Sequence, residues 1–261
     1  MGDAQGEMNR ILFEPDEIQG VRAVFDGVRA EHVINVLHGE VGQVLRTGVV
    51  DGLVGESVVE AIEPLPPDPA TGLLQGRVTV RCEHCDEPPA PWADLLLAPP
   101  RPRAMKRLLP QIAQMGVGRI VLVGAQKTEK SFWGAQLLKE SVHRPLLLDG
   151  LMQAGTTALP RMQIERSFRR YMEGGRFEAD FADSSRRVVA HPYAQGKETP
   201  GRLAHCAGPG RVLVAVGPEG GWTDDEVALL ESHGFERLSL GPRILRTDTA
   251  VVALLARLMP V

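Results

Sequence analysis

Two glycine-proline turns near the end of the chain constrain its fold more than any other feature. The first spans residues 216–222 and follows the apolar run 212–216, while the second spans residues 240–249 and follows the short apolar run 238–240. Each turn leads into a helix-start pattern. Because α/β proteins build ligand crevices where a strand, a glycine turn and a helix N-terminus follow one another, we expect the two turns to form two walls of one pocket.

The helix starts that follow these turns are indicated by polar residues. Thr223 and Glu226 have the spacing of a capping box, in which each side chain bonds the backbone amide of the other residue. Thr247, followed by Asp248, is predicted to open the last helix, over residues 250–259, in a similar way. The helix dipole favours acidic residues in such a first turn.

A plain connection between strand and helix is the alternative interpretation of each turn. Gly217, Gly220 and Gly221, however, leave an edge without side chains, so that backbone groups can face a ligand directly. Arg243 and Arg246 are the only charged residues of the stretch 238–247, and a connection does not need them. We therefore favour a binding site.

The residues of the two turns also resemble a known family. Residues 217–221 (Gly-Pro-Glu-Gly-Gly), an acidic helix start, and residues 240–250 (Leu-Gly-Pro-Arg-Ile-Leu-Arg-Thr-Asp-Thr-Ala) are similar to the closing motifs of the RsmE family. Members of that family are 16S ribosomal RNA uridine-N3 methyltransferases of the SPOUT class. Both motifs are long and their spacing matches the family.

This resemblance implies a fold, a reaction and partners. The expected fold is α/β, with a C-terminal SPOUT trefoil-knot domain that contains a mostly parallel sheet, and a small N-terminal PUA-like β-barrel that binds RNA. The expected reaction is S-adenosylmethionine-dependent methylation of uridine N3 in 16S ribosomal RNA, in the decoding region of helix 44 of the small subunit. The expected assembly is a homodimer. Composition and periodicity do not show the knot, the PUA-like barrel, the cofactor or the homodimer.

The resemblance also assigns candidate site residues. Since uridine N3 is nucleophilic only after it loses its proton, Arg246 is predicted to stabilise the uridine anion, and Arg243 to bind phosphate or the cofactor carboxylate. Glu219 is either a base or a helix cap. Methyl transfer needs alignment and exclusion of water, so no metal is predicted. The residues expected to bind S-adenosylmethionine, largely through their backbone groups, are His191, Gly217, Pro218, Gly220, Leu240, Gly241, Ile244 and Leu245.

Three further residues are candidates for substrate binding. Arg10 stands where the family has an arginine before its first strand, and Gln153 stands where it has a glutamine near the active site. Arg103 belongs to a basic cluster at residues 101–107 that either meets phosphate or is an ordinary solvated helix face.

Two positions depart from the family pattern. His38 stands where an arginine is usual, and residues 155–157 (Gly-Thr-Thr) replace an arginine that follows the glutamine. These departures leave open a catalytically silent RNA-binding or assembly factor. A second alternative is another SPOUT methyltransferase that acts on transfer RNA or on a ribose 2′-oxygen, and the Arg-Ile-Leu-Arg-Thr string argues against it.

Charge divides the chain near residue 90. Of the 29 basic and 33 acidic side chains, residues 1–90 contain 6 and 16, which leaves 23 and 17 for the remainder. A proline-rich break at 88–91 coincides with this shift, whereas the one at 63–69 is predicted to be a loop within the first domain. We place the domains at residues 1–87 and 91–261. The second domain, which contains both turns, has the charge to face a polyanion.

Apolar periodicity predicts the remaining elements. Strands and helices that alternate in the second domain are typical of an α/β fold. The predicted strands of the first domain are residues 21–25, 43–50, 57–62 and 77–81. The predicted strands of the second domain are residues 92–98, 119–124 and 185–190. Its predicted helices are one that begins at residue 101 and is ended by Gly116 and Gly118, one at 137–153 and one at 164–172.

The chain has three cysteines, and Cys82 and Cys85 form the only close pair. With His84 they supply three soft ligands, one fewer than a closed zinc site needs, and Cys206 is distant in sequence. We predict reduced thiols at the end of a strand, with a redox dithiol as the alternative.

No apolar run approaches the ~20 residues that span a bilayer, and residues 1–10 lack the pattern of a secretory signal. We therefore expect a soluble cytoplasmic protein.

Overall fold

The computed structural model describes residues 10–191 and 210–260. The chain divides into two compact units, which we call unit 1 (Met1–Pro89 with Leu151–Leu159) and unit 2 (Ala90–Gly150 with Pro160–Val261). The domains at 1–87 and 91–261 stay a prediction, and nothing in the sequence indicated that residues 151–159 group with the first unit.

Unit 1 is built on a six-stranded sheet in the order β1-β4-β5-β6-β3-β2. Its elements are β1 (Ile11–Phe13), β2 (Ile18–Gln19), β3 (Arg22–Phe25), α1 (Gly27–Glu31) with a π-helical turn (His32–Val36), β4 (Val44–Val49), β5 (Val54–Leu65) and β6 (Gln75–Asp86). Neighbouring strands are antiparallel except for the parallel pair β1 and β4. Alternate side chains, such as Val78 and Val80, are buried against Phe13 and Phe25. The PUA-like barrel stays a prediction.

The four predicted strands of this unit correspond to β3–β6, but β5 continues through the first half of the proline-rich segment 63–69. The prediction that this whole segment is a loop was wrong. Pro64 pairs with Gly76 of β6, while β4 pairs only with residues 54–58 of β5. Proline has no backbone N–H to donate. Because no strand pairing among the described residues requires an N–H at residue 64, β5 tolerates a proline at this position.

Unit 2 contains a six-stranded sheet in the order β12-β10-β11-β7-β8-β9, and every neighbouring pair is parallel. Its elements are β7 (Ala93–Leu97), α2 (Pro102–Gln114), β8 (Val117–Val123), α3 (Glu140–Ala154, whose last residues group with unit 1), β9 (Arg161–Glu165), α4 (Phe168–Glu173), α5 (Arg176–Asp180), β10 (Ser184–Ala190), β11 (Arg211–Val216), α6 (Asp224–Ser232), β12 (Glu236–Leu238) and α7 (Thr247–Leu258). The α/β class and the parallel sheet are confirmed.

The strand order places the site. Parallel strands end at the same edge of a sheet, and β12, β10 and β11 are neighbours. The turns after β11 and β12 therefore flank the end of β10, although 26 residues separate Ala190 from Val216 in sequence. β7 and β11 are buried along nearly their whole length, as expected for strands covered on both faces.

Several predicted limits in unit 2 were wrong. The helix predicted at 164–172 begins only at Phe168, because Ile164 pairs with β8 as part of β9. Gly118 lies in β8, and α2 ends at Gln114, just before Gly116 with its left-handed φ of +74°. The helix predicted at 137–153 begins at Glu140, after a 3₁₀ turn at Gln136–Leu138. At Ile164, hydrogen bonding to a strand that is distant in sequence overrides the helical periodicity of the local sequence.

The second turn also begins and ends earlier than the sequence predicted. β12 ends at Leu238 rather than at residue 240, and α7 begins at Thr247 rather than at residue 250. Among the described helices, none is long and apolar enough to cross a membrane. The cytoplasmic location stays a prediction.

Candidate functional site

A cavity of about 370 Å³ lies at the edge of unit 2 where β10, β11 and β12 end. Both glycine-proline turns line it, as the sequence predicted. The volume is in the range of small-molecule sites. The lining residues are Lys127, Ala190, His191, Val216, Gly217, Pro218, Glu219, Gly220, Gly221, Trp222, Leu238, Leu240, Gly241, Arg243, Ile244, Leu245, Thr247 and Ala250.

The first wall is the turn after β11, and it is compact because of its glycines. A Cβ atom on Gly217 would lie only 3.0 Å from the backbone nitrogen of Trp222 and 3.1 Å from Cδ1 of its indole. Gly221 donates its N–H to the carbonyl oxygen of Pro218 at 2.8 Å and has a φ of +69°. The indole of Trp222 is buried against Phe168, with ring centroids 5.1 Å apart. The turn thus folds back on itself and leaves backbone at the cavity.

The helix start behind this wall is the predicted capping box. The Thr223 side chain accepts a hydrogen bond from the N–H of Glu226, and the Glu226 carboxylate accepts one from the N–H of Thr223 at 2.9 Å. The other carboxylate oxygen of the buried Glu226 accepts a bond from the N–H of Gln126 at 2.7 Å. Glu226 therefore fixes the segment after β8 against the first turn.

The second wall is the segment after β12. The hydroxyl of Ser239 accepts a hydrogen bond from the N–H of Gly241 at 3.2 Å, and Gly241 has a φ of +107° that favours glycine. Leu240, Ile244 and Leu245 line the cavity with apolar side chains, and Ile244 exposes 77% of its surface. This wall offers apolar contacts as well as backbone groups.

Thr247 joins the two walls. Its predicted role as a helix cap was wrong, because Arg246 is the N-cap residue of α7 and Thr247 is already the first helical residue. The buried Thr247 hydroxyl instead donates to the carbonyl oxygen of Gly217 at 3.5 Å. The hydroxyl therefore connects the end of the second turn to the start of the first.

The remaining walls come from the segments after β10 and β8, and the sequence predicted only the first of these at the site. His191 follows β10 and donates its N–H to the carbonyl oxygen of Leu238 at 3.0 Å. Lys127 follows β8 and donates from Nζ to the carbonyl oxygen of Gly220 at 3.0 Å. Lys127, Trp222 and Thr247 were not predicted as site residues. The position of Lys127 shortly after a predicted strand indicated that it could lie at the same edge of the sheet. Only the order of the strands shows that it lies beside the two turns.

Ten predicted site residues line the cavity: His191, Gly217, Pro218, Glu219, Gly220, Leu240, Gly241, Arg243, Ile244 and Leu245. Arg246 is not among the described lining residues; it is exposed at the N-cap of α7, next to Thr247. Arg103 is exposed on α2. Arg10 and Gln153 belong to unit 1.

The carboxylate of Glu219 contacts a second helix. It accepts a hydrogen bond from the N–H of Arg101 at 3.0 Å, and Arg101 is the N-cap residue of α2. The guanidinium of Arg101 bonds Glu129 at 3.0 Å. Glu219 therefore stabilises a helix start that the sequence did not pair with it, while it also lines the cavity.

Arg10 stabilises the returning segment of unit 1. Its guanidinium donates to the carbonyl oxygens of Gly155 and Gly55 at 3.0 Å each, and to that of Thr47. Burial, followed by the nearby Arg46, lowers the pKa of Arg10. Residues 155–157, which stand in place of the family's arginine, are therefore held in unit 1 by the hydrogen bond from Arg10 to Gly155. An RNA contact of Arg10 stays a prediction.

The close cysteine set lies in β6, and Cys82 and Cys85 are free thiols. The Nε2 atom of His84 lies 2.7 Å from the hydroxyl of Thr47, which in turn lies 2.6 Å from that of Ser57. Burial raises the pKa of the Cys82 thiol. Within residues 10–191 and 210–260 no group of three or more metal-ligating side chains occurs. Cys206 lies outside the described residues.

Comparison with known proteins identifies the class. A family model described as an RNA methyltransferase domain matches residues 87–259, which include the whole cavity. A parallel α/β sheet with a cavity of glycine turns at its carboxyl edge agrees with that match. The chain is an RNA methyltransferase.

Individual relatives narrow the family. The ribosomal RNA small subunit methyltransferase E of Treponema pallidum (strain Nichols) is 30% identical over 249 residues, which cover 94% of this chain and 88% of that protein. Ribosomal RNA small subunit methyltransferase E 1 of Borreliella burgdorferi is 26% identical over 156 residues, which cover 59% of this chain and 60% of that protein. This chain belongs to the ribosomal RNA small subunit methyltransferase E family, the RsmE family that its turns resembled.

A solved structure has the same fold. The ribosomal RNA small subunit methyltransferase E from Neisseria gonorrhoeae, determined bound to S-adenosyl methionine, superposes with a TM-score of 0.66. It is 19% identical, and the match covers 95% of each chain.

Proposed function

We propose that this protein methylates N3 of a uridine in 16S ribosomal RNA, in the decoding region of helix 44, with S-adenosylmethionine as the methyl donor. The observation that supports this most is that two side-chain-poor turns, which follow different strands of the parallel sheet, line one cavity of about 370 Å³. Membership of the family and the bound S-adenosyl methionine of the Neisseria gonorrhoeae relative point to the same ligand.

The cavity has the groups that S-adenosylmethionine requires. Gly217, Gly220 and Gly241 line the cavity and have no side chains of their own, so backbone groups of the two turns suit the polar edges of adenine and the methionine end. Leu240 and Leu245 offer apolar surface to the adenine ring. His191 and Pro218 complete the proposed set, together with Ile244. Bound S-adenosylmethionine would supply an activated methyl group, for which the protein needs only to align the nucleophile.

The proposed roles of the charged residues concern the uridine. Arg246, at the start of α7, stabilises the N3 anion, and Arg243 at the rim of the cavity binds phosphate or the cofactor carboxylate. Glu219 accepts the N3 proton after it releases the N–H of Arg101. A base in a structured RNA has to be turned out of its helix to reach such a site.

RNA binding is proposed for both parts of the chain. Unit 2 has 23 basic and 17 acidic residues, whereas unit 1 has 6 and 16, and Arg103 on α2 is one of the basic residues of unit 2. On unit 1, several arginines of the sheet pair with acidic neighbours, for example Arg22 with Glu60 at 2.6 Å, so RNA contacts there would depend on local sites such as Arg10. Gln153 is proposed to contact the substrate.

The assembly and the architecture are proposals from the family. We propose a homodimer. Ile244, at the rim of the cavity, leaves 77% of its surface exposed, and a second copy of the chain would bury this apolar side chain. The trefoil knot, the PUA-like barrel and a cytoplasmic location are proposed on the same basis.

Mass spectrometry of 16S ribosomal RNA from a deletion strain tests the reaction. We expect loss of one N3-methyluridine and its return with the wild-type gene but not with Arg246→Ala. In vitro, Arg246→Ala should leave the affinity for S-adenosylmethionine near normal, measured by calorimetry. Binding without methylation by the wild-type protein would support a silent factor, and a changed ribose 2′-O-methylation would support the other SPOUT alternative.

A further inference from the structure

We propose that Lys127 is a second catalytic cation of this enzyme and that its ammonium group, in addition to Arg246, stabilises the uridine anion from which methyl transfer proceeds. This inference rests on the proposed function. The lysine and arginine residues in the described wall of the cavity are Lys127 and Arg243.

The Lys127 side chain is held against the first glycine turn along its length. Its Nζ donates to the carbonyl oxygen of Gly220 at 3.0 Å. A Cβ atom on Gly220 would lie 3.0 Å from Cδ and 3.2 Å from Cβ of the lysine. The lysine stem therefore occupies the space that a side chain at residue 220 would need, and its ammonium is directed to the edge of the cavity.

The backbone of Lys127 is fixed on both sides. The N–H of Gln126 donates to the buried carboxylate of Glu226 at 2.7 Å, and Thr128 closes a turn by donating its N–H to the carbonyl oxygen of Ala125 at 3.0 Å. The Thr128 hydroxyl also accepts the N–H of Ala125 at 3.1 Å. A catalytic group is effective when such contacts fix it before the substrate arrives.

Among the described residues, Lys127 also has donors that no partner uses. An ammonium group has three N–H donors, and the bond to Gly220 uses one of them. Lys127 and Arg243 are both exposed, but within the described residues the guanidinium of Arg243 has no hydrogen bond to the protein, whereas the ammonium of Lys127 bonds Gly220. Lys127 is therefore the cation whose position the protein determines.

The chemistry calls for a cation of this kind. The N3 proton leaves to a base or to water, the N3 lone pair forms the bond to the methyl carbon, and the carbon–sulfur bond breaks with its electron pair staying on sulfur. S-adenosylhomocysteine is left. The negative charge lies on the uracil N3 and carbonyl oxygens only between proton loss and methyl transfer. An ammonium beside those oxygens thus binds the anion more strongly than the neutral substrate or product, which accelerates the reaction.

The test compares Lys127→Ala with the control Lys130→Ala, which removes an exposed lysine from the same segment. With small ribosomal subunits and saturating S-adenosylmethionine, we expect Lys127→Ala to lower kcat by about 100-fold or more, the usual cost of losing one such donor. Affinity for S-adenosylmethionine should stay at the wild-type value, and Lys130→Ala should keep wild-type kcat. Lys127→Arg should recover part of the loss because it restores a cation.

A second readout separates anion stabilisation from a structural role. In RNA that contains 5-fluorouridine at the target position, N3 is more acidic and depends less on a cation. The deficit of Lys127→Ala should therefore be several-fold smaller with this substrate. An equal deficit with both substrates, a loss of S-adenosylmethionine affinity, or an equal effect of Lys130→Ala would overturn the proposal. Failure of the wild-type enzyme to methylate uridine N3 would instead overturn the proposed function.

Discussion

Replacing Gly217 with alanine should weaken the binding of S-adenosylmethionine while leaving the protein folded. The added Cβ would lie 3.0 Å from the backbone nitrogen of Trp222 and 3.1 Å from Cδ1 of its indole. Because one of these atoms is backbone and the indole is buried, the turn itself has to shift. Overpacking of this kind costs about 1–3 kcal/mol.

The size of the effect on binding follows from where the shift occurs. Gly217 lines the cavity, so the displaced atoms are those proposed to face the cofactor. If the strain is relieved there, the affinity falls by a factor of about 5 to 150, since 1.4 kcal/mol corresponds to tenfold. Calorimetric titration measures this factor, and thermal unfolding measures the accompanying loss, at about 2–4 °C per kcal/mol.

Gly134→Ala is the matched control. A Cβ atom on Gly134 meets no heavy atom within 4 Å, although the residue belongs to the same unit. We expect wild-type affinity and stability for this variant. If Gly217→Ala binds S-adenosylmethionine with wild-type affinity although its unfolding temperature falls, the first turn does not form the cofactor wall and the reasoning is refuted.

Three further variants test other contacts. Thr247→Val, which keeps shape but removes the hydroxyl bonded to the opposite turn, should weaken cofactor binding by about 0.5–1.5 kcal/mol, and Thr247→Ser should not. Hydrogen bonding from Arg187 lowers the pKa of Glu178 from 4.5 to about 2. Glu178→Gln should therefore be less stable than wild type at neutral pH in denaturant titrations, and the difference should shrink as the pH falls from 4.5 towards 2. Arg10→Ala should lose about 1.5–3 kcal/mol and speed proteolysis between residues 151 and 159, and unchanged cleavage there would contradict the role assigned to its bond with Gly155.

Local physical chemistry in the sequence determined the parts of the site that are close in the chain. The Thr223 and Glu226 capping box forms as predicted, because both partners lie within one helical turn. The buried strands β7 and β11 follow from uninterrupted apolar runs, since a parallel strand is covered on both faces. Both glycine turns line one cavity because each follows a strand of one parallel sheet.

Tertiary structure decided what depends on the order of the strands and on distant partners. Residue Ile164 is in a strand rather than a helix because β8 supplies its ladder, and a ladder offers hydrogen bonds that local periodicity does not register. Lys127 reaches the cavity because Gly220, 93 residues away, leaves room for its stem. Arg10 bonds Gly155 across 145 residues, so a segment of the second half of the chain belongs to unit 1. Contacts of such separation leave no pattern along the chain, because the residues that make them are neighbours only after folding.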